Sequence, residues 1–109
     1  MTISLSGDVL NYQGTRAGDY HESAIVNGHP SWINGDHAIW YNDASSDWAV
    51  GSIEKRGSST VGINADGQGT TCPNSIASSD WSYWSGSSWL TFSSSVMSVT
   101  CSQAKGKNN

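Results

Sequence analysis

The apolar residues of this sequence come in short alternating runs, and none of the runs keeps a helical spacing over a long stretch. Alternation with a period of two is typical of a β-strand that is buried on one side. Clusters of Gly, Asn, Asp and Ser separate the runs and favour turns, because these residues tolerate positive φ or bond to nearby backbone. The pattern therefore predicts an all-β chain, with a short helix over residues 73–79 as an alternative at that place.

Two segments share the same order of an aromatic strand, a polar turn and a second strand that begins with Trp. The first joins residues 39–41 to 48–50, and the second joins residues 82–84 to 89–92. Strands connected by so short a polar loop pair antiparallel. We therefore expect a small antiparallel β-sandwich, or else a barrel or meander of antiparallel strands.

Aromatic residues are expected to build much of the core. The chain of 109 residues contains six Trp and four Tyr but one Phe, and hydrophobic residues make up 36% of it. This length suits one domain. Residues 1–101 are predicted to form a single β domain, and the polar residues 102–109 a flexible C-terminal tail.

The two cysteines, Cys72 and Cys101, predict one disulfide. Their separation fits neither a zinc site nor a Cys-x-x-Cys redox pair. A bond between them would stabilise the fold by about 3–4 kcal/mol in the chain-entropy model, and it would require an oxidising compartment. We therefore expect a secreted, extracellular protein. Residues 1–5 lack the features of a secretory signal, so this expectation requires a signal already removed or an unconventional route of export.

The charge balance disfavours some partners. Five Lys or Arg residues stand against nine Asp or Glu residues, which gives a net charge of −4. Binding to nucleic acid through its phosphates requires clustered cations, and in the body of the chain only Lys55 and Arg56 adjoin. Bulk nucleic-acid binding is therefore not expected. No segment is apolar over the length of a membrane span, and no cofactor is predicted.

Turn and aromatic positions recur along the chain as Gly18-x-Tyr20, Asn27-Gly28-x-Pro30, Ile39-Trp40-Tyr41, Trp48-x-Val50-Gly51 and Val99-x-Cys101. With these motifs, residues 7–101 resemble the small tryptophan- and glycine-rich β modules of extracellular and adhesive proteins. The resemblance implies a β fold and an extracellular location, and it carries over no catalytic residue. A purely structural module within a longer chain is one role compatible with it.

The aromatic hairpins predict a ligand site of the lectin type. Sugars present apolar faces that stack on Trp or Tyr rings, and hydroxyls that bond to Asn and Asp side chains. The candidate ligand-binding residues are Trp40, Tyr41, Asn42, Asp43, Trp48, Tyr83, Trp84 and Trp89, with Asp47 and Asp80 beside the same rings. The rings could equally form the core, and the sequence leaves both roles open. The predicted partner is an extracellular glycan or glycoprotein, and a homo-oligomer would raise the avidity.

The histidines support an alternative hypothesis. His29, Asp36 and His37 offer imidazole and carboxylate groups for general acid–base catalysis, as in a secreted toxin that acts as a hydrolase or nuclease. Their spacing matches no established motif. Residues 64–67 resemble the start of a calcium-binding loop, but no bidentate Glu follows at the required distance. No metal site is therefore predicted.

Overall fold

A computed structural model of the chain describes residues 1–65 and 72–101, which form mostly β-strands. The strands are β1 (Thr2–Gly7), β2 (Gly18–Asp19), β3 (His21–Glu22), β4 (Trp32–Asn34), β5 (His37–Asn42), β6 (Asp47–Ser52), β7 (Ile63–Ala65), β8 (Trp81–Trp84), β9 (Trp89–Thr91) and β10 (Ser95–Thr100). The helical segments are the one-turn helix α1 (Leu10–Gln13) and the 3-10 turns Gly14–Arg16, Ile53–Lys55, Pro73–Ser75 and Ser78–Asp80. The prediction of a β protein is confirmed.

The larger of two antiparallel sheets is a meander. Its seven strands, β3 to β9, follow one another in chain order, and both predicted hairpins are present as β5–β6 and β8–β9. The smaller sheet has the order β10-β1-β2, with β1 paired along its whole length to β10. Neither sheet closes on itself, because β3 and β9 are the edges of the meander. The barrel alternative is therefore wrong.

One hydrophobic cluster lies between the two sheets. In the meander, the register places Ile39, Val50, Ile63 and Tyr83 directly opposite one another on adjacent strands, so they share one face. The smaller sheet contributes Ile3, Met97 and Val99 to the same cluster. The buried members are Met1, Ile3, Val9, Tyr20, Ile39, Trp48, Val50, Ile63, Ala65, Ile76, Trp81, Tyr83, Phe92, Met97 and Val99. This face of the meander is called the inner face.

The opposite, outer face of the meander is also covered near its centre. Trp40 lies there with no exposed surface, in a second cluster with Ala38 and Ala49. Its indole Nε1–H donates to the carbonyl oxygen of Ser58 over 3.1 Å. Gly51 makes room for the ring, because a Cβ at this position would lie 2.9 Å from Cη2 of Trp40. The meander is therefore buried on both sides at β5 and β6.

The structure contains no disulfide between Cys72 and Cys101, so the predicted cross-link is not supported. Cys72 is exposed just before the Pro73–Ser75 turn, and Cys101 is half-buried just after β10. The number and spacing of cysteines do not determine whether their Cα atoms come within the roughly 4.4–6.8 Å that a disulfide requires.

No helix among the described residues is long and apolar enough to cross a membrane. Residues 102–109, for which a flexible tail was expected, lie outside the described residues.

We predict that Gly51→Ala lowers the free energy of unfolding by about 1–3 kcal/mol, because the new methyl group would press on the fixed indole of Trp40. Urea unfolding followed by circular dichroism measures the loss. Gly14→Ala is the matched control, since Gly14 has a helical φ of −58° and its Cβ would meet Leu10 at an ordinary 3.6 Å. An equal loss in both variants would contradict the proposed packing.

Candidate functional site

Three of the eight predicted ligand-binding residues belong to the core. Trp40, Trp48 and Tyr83 each keep at most 4% of their surface exposed, so their rings cannot serve as platforms for a ligand. The interpretation of these three as ligand-binding residues is corrected accordingly. Both faces of the meander are covered where Trp40 and Trp48 lie, and Tyr83 points to the inner face. Their large apolar rings supply the core volume that a chain poor in Leu and Phe requires.

Two further predicted residues are set apart from the exposed rings. Tyr41 is half-buried, and its ring centroid lies 4.0 Å from that of His29 and 5.7 Å from that of Trp48. Asp43 is exposed in the turn between β5 and β6.

Trp84 and Trp89 are the two exposed aromatic rings among the predicted residues. They lie directly opposite each other where the β8–β9 hairpin turns, with 36% and 45% of their surfaces exposed. Their ring centroids are 5.6 Å apart and the planes are tilted by 58°. The turn between them is fixed by Ser85, whose hydroxyl donates to the Ser88 carbonyl over 3.0 Å, and by a φ of +96° at Gly86. A tight turn thus holds two indoles at the end of the sheet.

Trp89 forms one wall of an open pocket of about 400 Å³ on the outer face of the meander. The other lining residues are Asn42, Ser45, Asp47, Ser59, Val61, Asn64 and Ser82. We call this the Trp89 pocket. The register accounts for its composition, because Asn42 faces Asp47 and Asn64 faces Ser82 across neighbouring strands. Four polar side chains therefore point to the same side as the indole.

Hydrogen bonds fix the amide and carboxylate groups of the Trp89 pocket. Asn64 Nδ2–H donates to Asp47 Oδ2 over 3.1 Å. The side chain of Asn42 accepts from the backbone N–H of Ala44 over 3.2 Å and donates from Nδ2 to Ser59 Oγ over 3.4 Å. Asn42 and Asp47 are buried, whereas Asn64 is half-buried. The polar floor is thus held in one geometry before any ligand arrives.

The lining of the Trp89 pocket carries one carboxylate and no cationic side chain among the described residues. Its polar groups are otherwise amides and hydroxyls, which both donate and accept hydrogen bonds. Such a lining suits an uncharged ligand with several hydroxyls, whereas a carboxylated or sulfated ligand would be repelled by Asp47.

Asn42 and Trp89 were predicted as ligand-binding residues and Asp47 was placed beside them, whereas Asn64 and Ser82 were not predicted to belong to this site. Ser82 stands between Trp81 and Tyr83, but a serine among so many others carries no signal of its own, and Asn64 adjoins no aromatic residue. The signal that could have found them is the strand register, which brings β7 between β6 and β8 and aligns their outward-pointing residues.

No protein-family model, curated protein or solved structure matches this chain.

The alternative catalytic residues do not converge. The His29 ring packs at a tilt of 35° against Tyr41 near the end of β5, whereas His37 begins the same strand. Tyr41 and His37 are four positions apart, which is about 13 Å along a strand. Asp36 is exposed in the turn before β5. The structure therefore does not bring His29, Asp36 and His37 together into one site, and the prediction of a joint catalytic site is not supported.

The described residues contain no group of three or more His, Cys, Asp and Glu side chains that could hold a metal ion. Of the segment that resembles a calcium loop, Asn64 bonds to Asp47, while residues 66 and 67 lie outside the described residues.

His37 instead ends a chain of hydrogen bonds that reaches the exposed hairpin. Arg16 Nη1 donates to His37 Nδ1 over 2.8 Å, so the imidazole carries its hydrogen on Nε2. Arg16 Nε donates to Gln13 Oε1 over 3.1 Å, and Gln13 Nε2 donates to the carbonyl oxygen of Trp84 over 2.9 Å. The chain therefore connects the start of β5 to the end of β8.

Burial and charge perturb the groups around Arg16. Burial lowers the pKa of His37, the positive charge of Arg16 lowers it further, and the neighbouring Asp36 opposes both effects. Burial raises the pKa of Tyr20 to about 12, although Arg16 opposes the rise. The Tyr20 hydroxyl donates to the Arg16 carbonyl oxygen over 2.7 Å. Burial also lowers the pKa of Arg16 itself. His37 is thus neutral in the folded protein near neutral pH.

We predict that the folded protein loses stability as the pH falls from about 6.5 through the lowered pKa of His37. In this range His37 binds a proton in the unfolded chain but stays neutral in the folded protein. Acid therefore favours unfolding. The free energy of unfolding, measured by urea at about pH 7.5 and about pH 5, should decrease less in His37→Gln than in the wild type.

The same prediction has a direct control by NMR. The His37 pKa in the folded protein should lie below 6.5 and should rise in Arg16→Met, because a positive charge beside the imidazole is removed. A His37 pKa at or above its ordinary value in the wild type would contradict the described contact.

Proposed function

We propose that this protein is a lectin-like module that binds a neutral glycan in the Trp89 pocket. The observation that carries the proposal is one exposed indole beside a fixed floor of Asn and Asp side chains. Trp89 has 45% of its surface exposed, and the Asn64–Asp47 hydrogen bond orients the polar groups next to it. The two features match the two chemical faces of a sugar.

Each part of the pocket has a role in this proposal. The apolar C–H face of a sugar ring would stack on Trp89, which removes apolar surface of both partners from water. Sugar hydroxyls would donate to the Asp47 carboxylate and exchange hydrogen bonds with Asn64 and Ser82. Because these side chains are already positioned, little conformational freedom is lost on binding.

The proposal includes an extracellular location. Its support is the composition rich in Ser, Gly and Trp and the resemblance to extracellular β modules, since the structure lends no support to the disulfide. A hydrolase or nuclease is less well supported, because His29 and His37 lie at opposite ends of β5. One shallow pocket binds weakly, so presentation of several copies would raise the avidity.

We predict that a glycan array yields binding to neutral sugars, and that the intrinsic tryptophan fluorescence of the protein changes when a bound sugar is titrated. Trp89→Ala should weaken the affinity about tenfold or more, because it removes the stacking surface. Trp89 is exposed, so the urea midpoint should change little. Ile25→Ala, which removes another exposed apolar side chain outside the pocket, should leave the affinity unchanged.

Two outcomes would contradict the proposed function. One is the absence of binding to any neutral glycan on the array by the folded wild-type protein. The other is binding that Trp89→Ala leaves intact, which would place the sugar elsewhere on the surface.

A further inference from the structure

A second pocket lies on the other side of the β8–β9 hairpin. It has a volume of about 330 Å³ and is lined by Asp8, Asn11, Tyr12, Tyr83, Leu90, Thr91, Ser93 and Ser94. We call it the Tyr12 pocket. None of the residues predicted from the sequence as ligand-binding lines it except the buried Tyr83. Its exposed residues belong neither to the hydrophobic core nor to the Trp89 pocket.

The two pockets are back to back on one edge strand. Trp89 and Leu90 are consecutive residues of β9, and successive side chains of a strand point to opposite faces of the sheet. Trp89 therefore lines the outer pocket and Leu90 the inner one. β9 is the last strand of the meander, so both pockets lie at the same edge of the sheet.

The Tyr12 pocket repeats the chemistry of the Trp89 pocket. Tyr12, on α1, has 50% of its surface exposed, and its ring is stacked on the buried Tyr83 at 6.2 Å with a tilt of 25°. The carboxylate of Asp8 accepts a hydrogen bond from Ser94 Oγ over 3.0 Å. Asn11 and Ser93 add an amide and a hydroxyl. An aromatic ring again lies beside one carboxylate and neutral polar groups, without a cation in the described lining.

We propose that the ligand is a linear neutral glycan whose chain crosses the edge of β9 and occupies both pockets. This inference rests on the proposed function and extends it, because it distinguishes an internal segment of a polysaccharide from a single terminal sugar. A short sugar fills one pocket alone. A longer chain that already holds one pocket reaches the other as an intramolecular step, at a high effective concentration.

The test is a series of linear oligosaccharides of the neutral sugar that binds most strongly on the glycan array, from the monosaccharide to the hexasaccharide, titrated by calorimetry. For the wild type, the affinity should rise about tenfold or more once the chain spans both pockets. Tyr12→Ala should abolish this gain and leave the affinity for the shortest sugar that binds unchanged. Trp89→Ala should weaken binding at every length.

Leu10→Ala is the matched control for Tyr12→Ala. Leu10 lies on the same short helix and is similarly exposed, but it does not line the pocket. It should therefore keep the full dependence on length. Asn11→Ala removes a polar lining group without touching the Tyr12–Tyr83 stack, so it keeps the test valid if Tyr12→Ala unfolds.

The outcomes separate the two proposals. Absence of binding by the folded wild type to every neutral glycan on the array would overturn the proposed function and this inference together. Binding that depends on Trp89 but not on chain length, with Tyr12→Ala and Asn11→Ala both neutral, would overturn the two-pocket inference alone. In that case Tyr12 would only shield Tyr83 from water.

Discussion

The register between β5 and β6 is the constraint on which the rest of the molecule depends. Each residue of one strand faces a residue of the other, from His37 opposite Ser52 to Asn42 opposite Asp47. This pairing sends Ile39 to the inner face and Trp40 to the outer face. A slip by one residue would reverse both and bury Asn42 among apolar side chains. Because β7 and β8 extend the same alignment, the pairing also determines which polar residues share the Trp89 pocket.

The strand pairing was largely predictable, and the burial of the rings was not. Short alternating runs and polar turns were sufficient to predict the two hairpins, because alternation and turn chemistry are local properties. Alternation assigns a ring to a face, but it does not say whether that face is covered. Trp40 is buried because Gly51 and the carbonyl of Ser58 lie close to it, and Ser58 reaches it from a loop with no recognisable pattern. The separation of His29 from His37 likewise depends on a long-range contact, because the loop residue His29 packs against Tyr41, at the other end of β5 from His37.

The two exposed indoles of the candidate site, Trp84 and Trp89, lie on the β8–β9 hairpin at one edge of the meander. The smaller sheet contributes residues such as Ile3 and Val99 to the hydrophobic cluster on the inner face. Trp84 and Trp89 point to the outer face, away from the smaller sheet, and Leu90 points to the inner face; all three side chains are in contact with water. The candidate site is thus located where the core ends, and the bond from Gln13 to the Trp84 carbonyl ties this end to the body of the protein.

The exposed edge of β9 has a consequence for self-association. A terminal strand whose side chains are all exposed, among them Trp89 and Leu90, presents unpaired backbone groups next to apolar surface, and such an edge invites a strand of another molecule to pair with it. The strand itself carries no charge that would repel a neighbour. A glycan bound across this edge, as proposed, would hinder the approach of such a strand. Ligand binding would then also protect the protein against aggregation. The glycan-bound protein would remain soluble at concentrations at which the free protein associates through this edge.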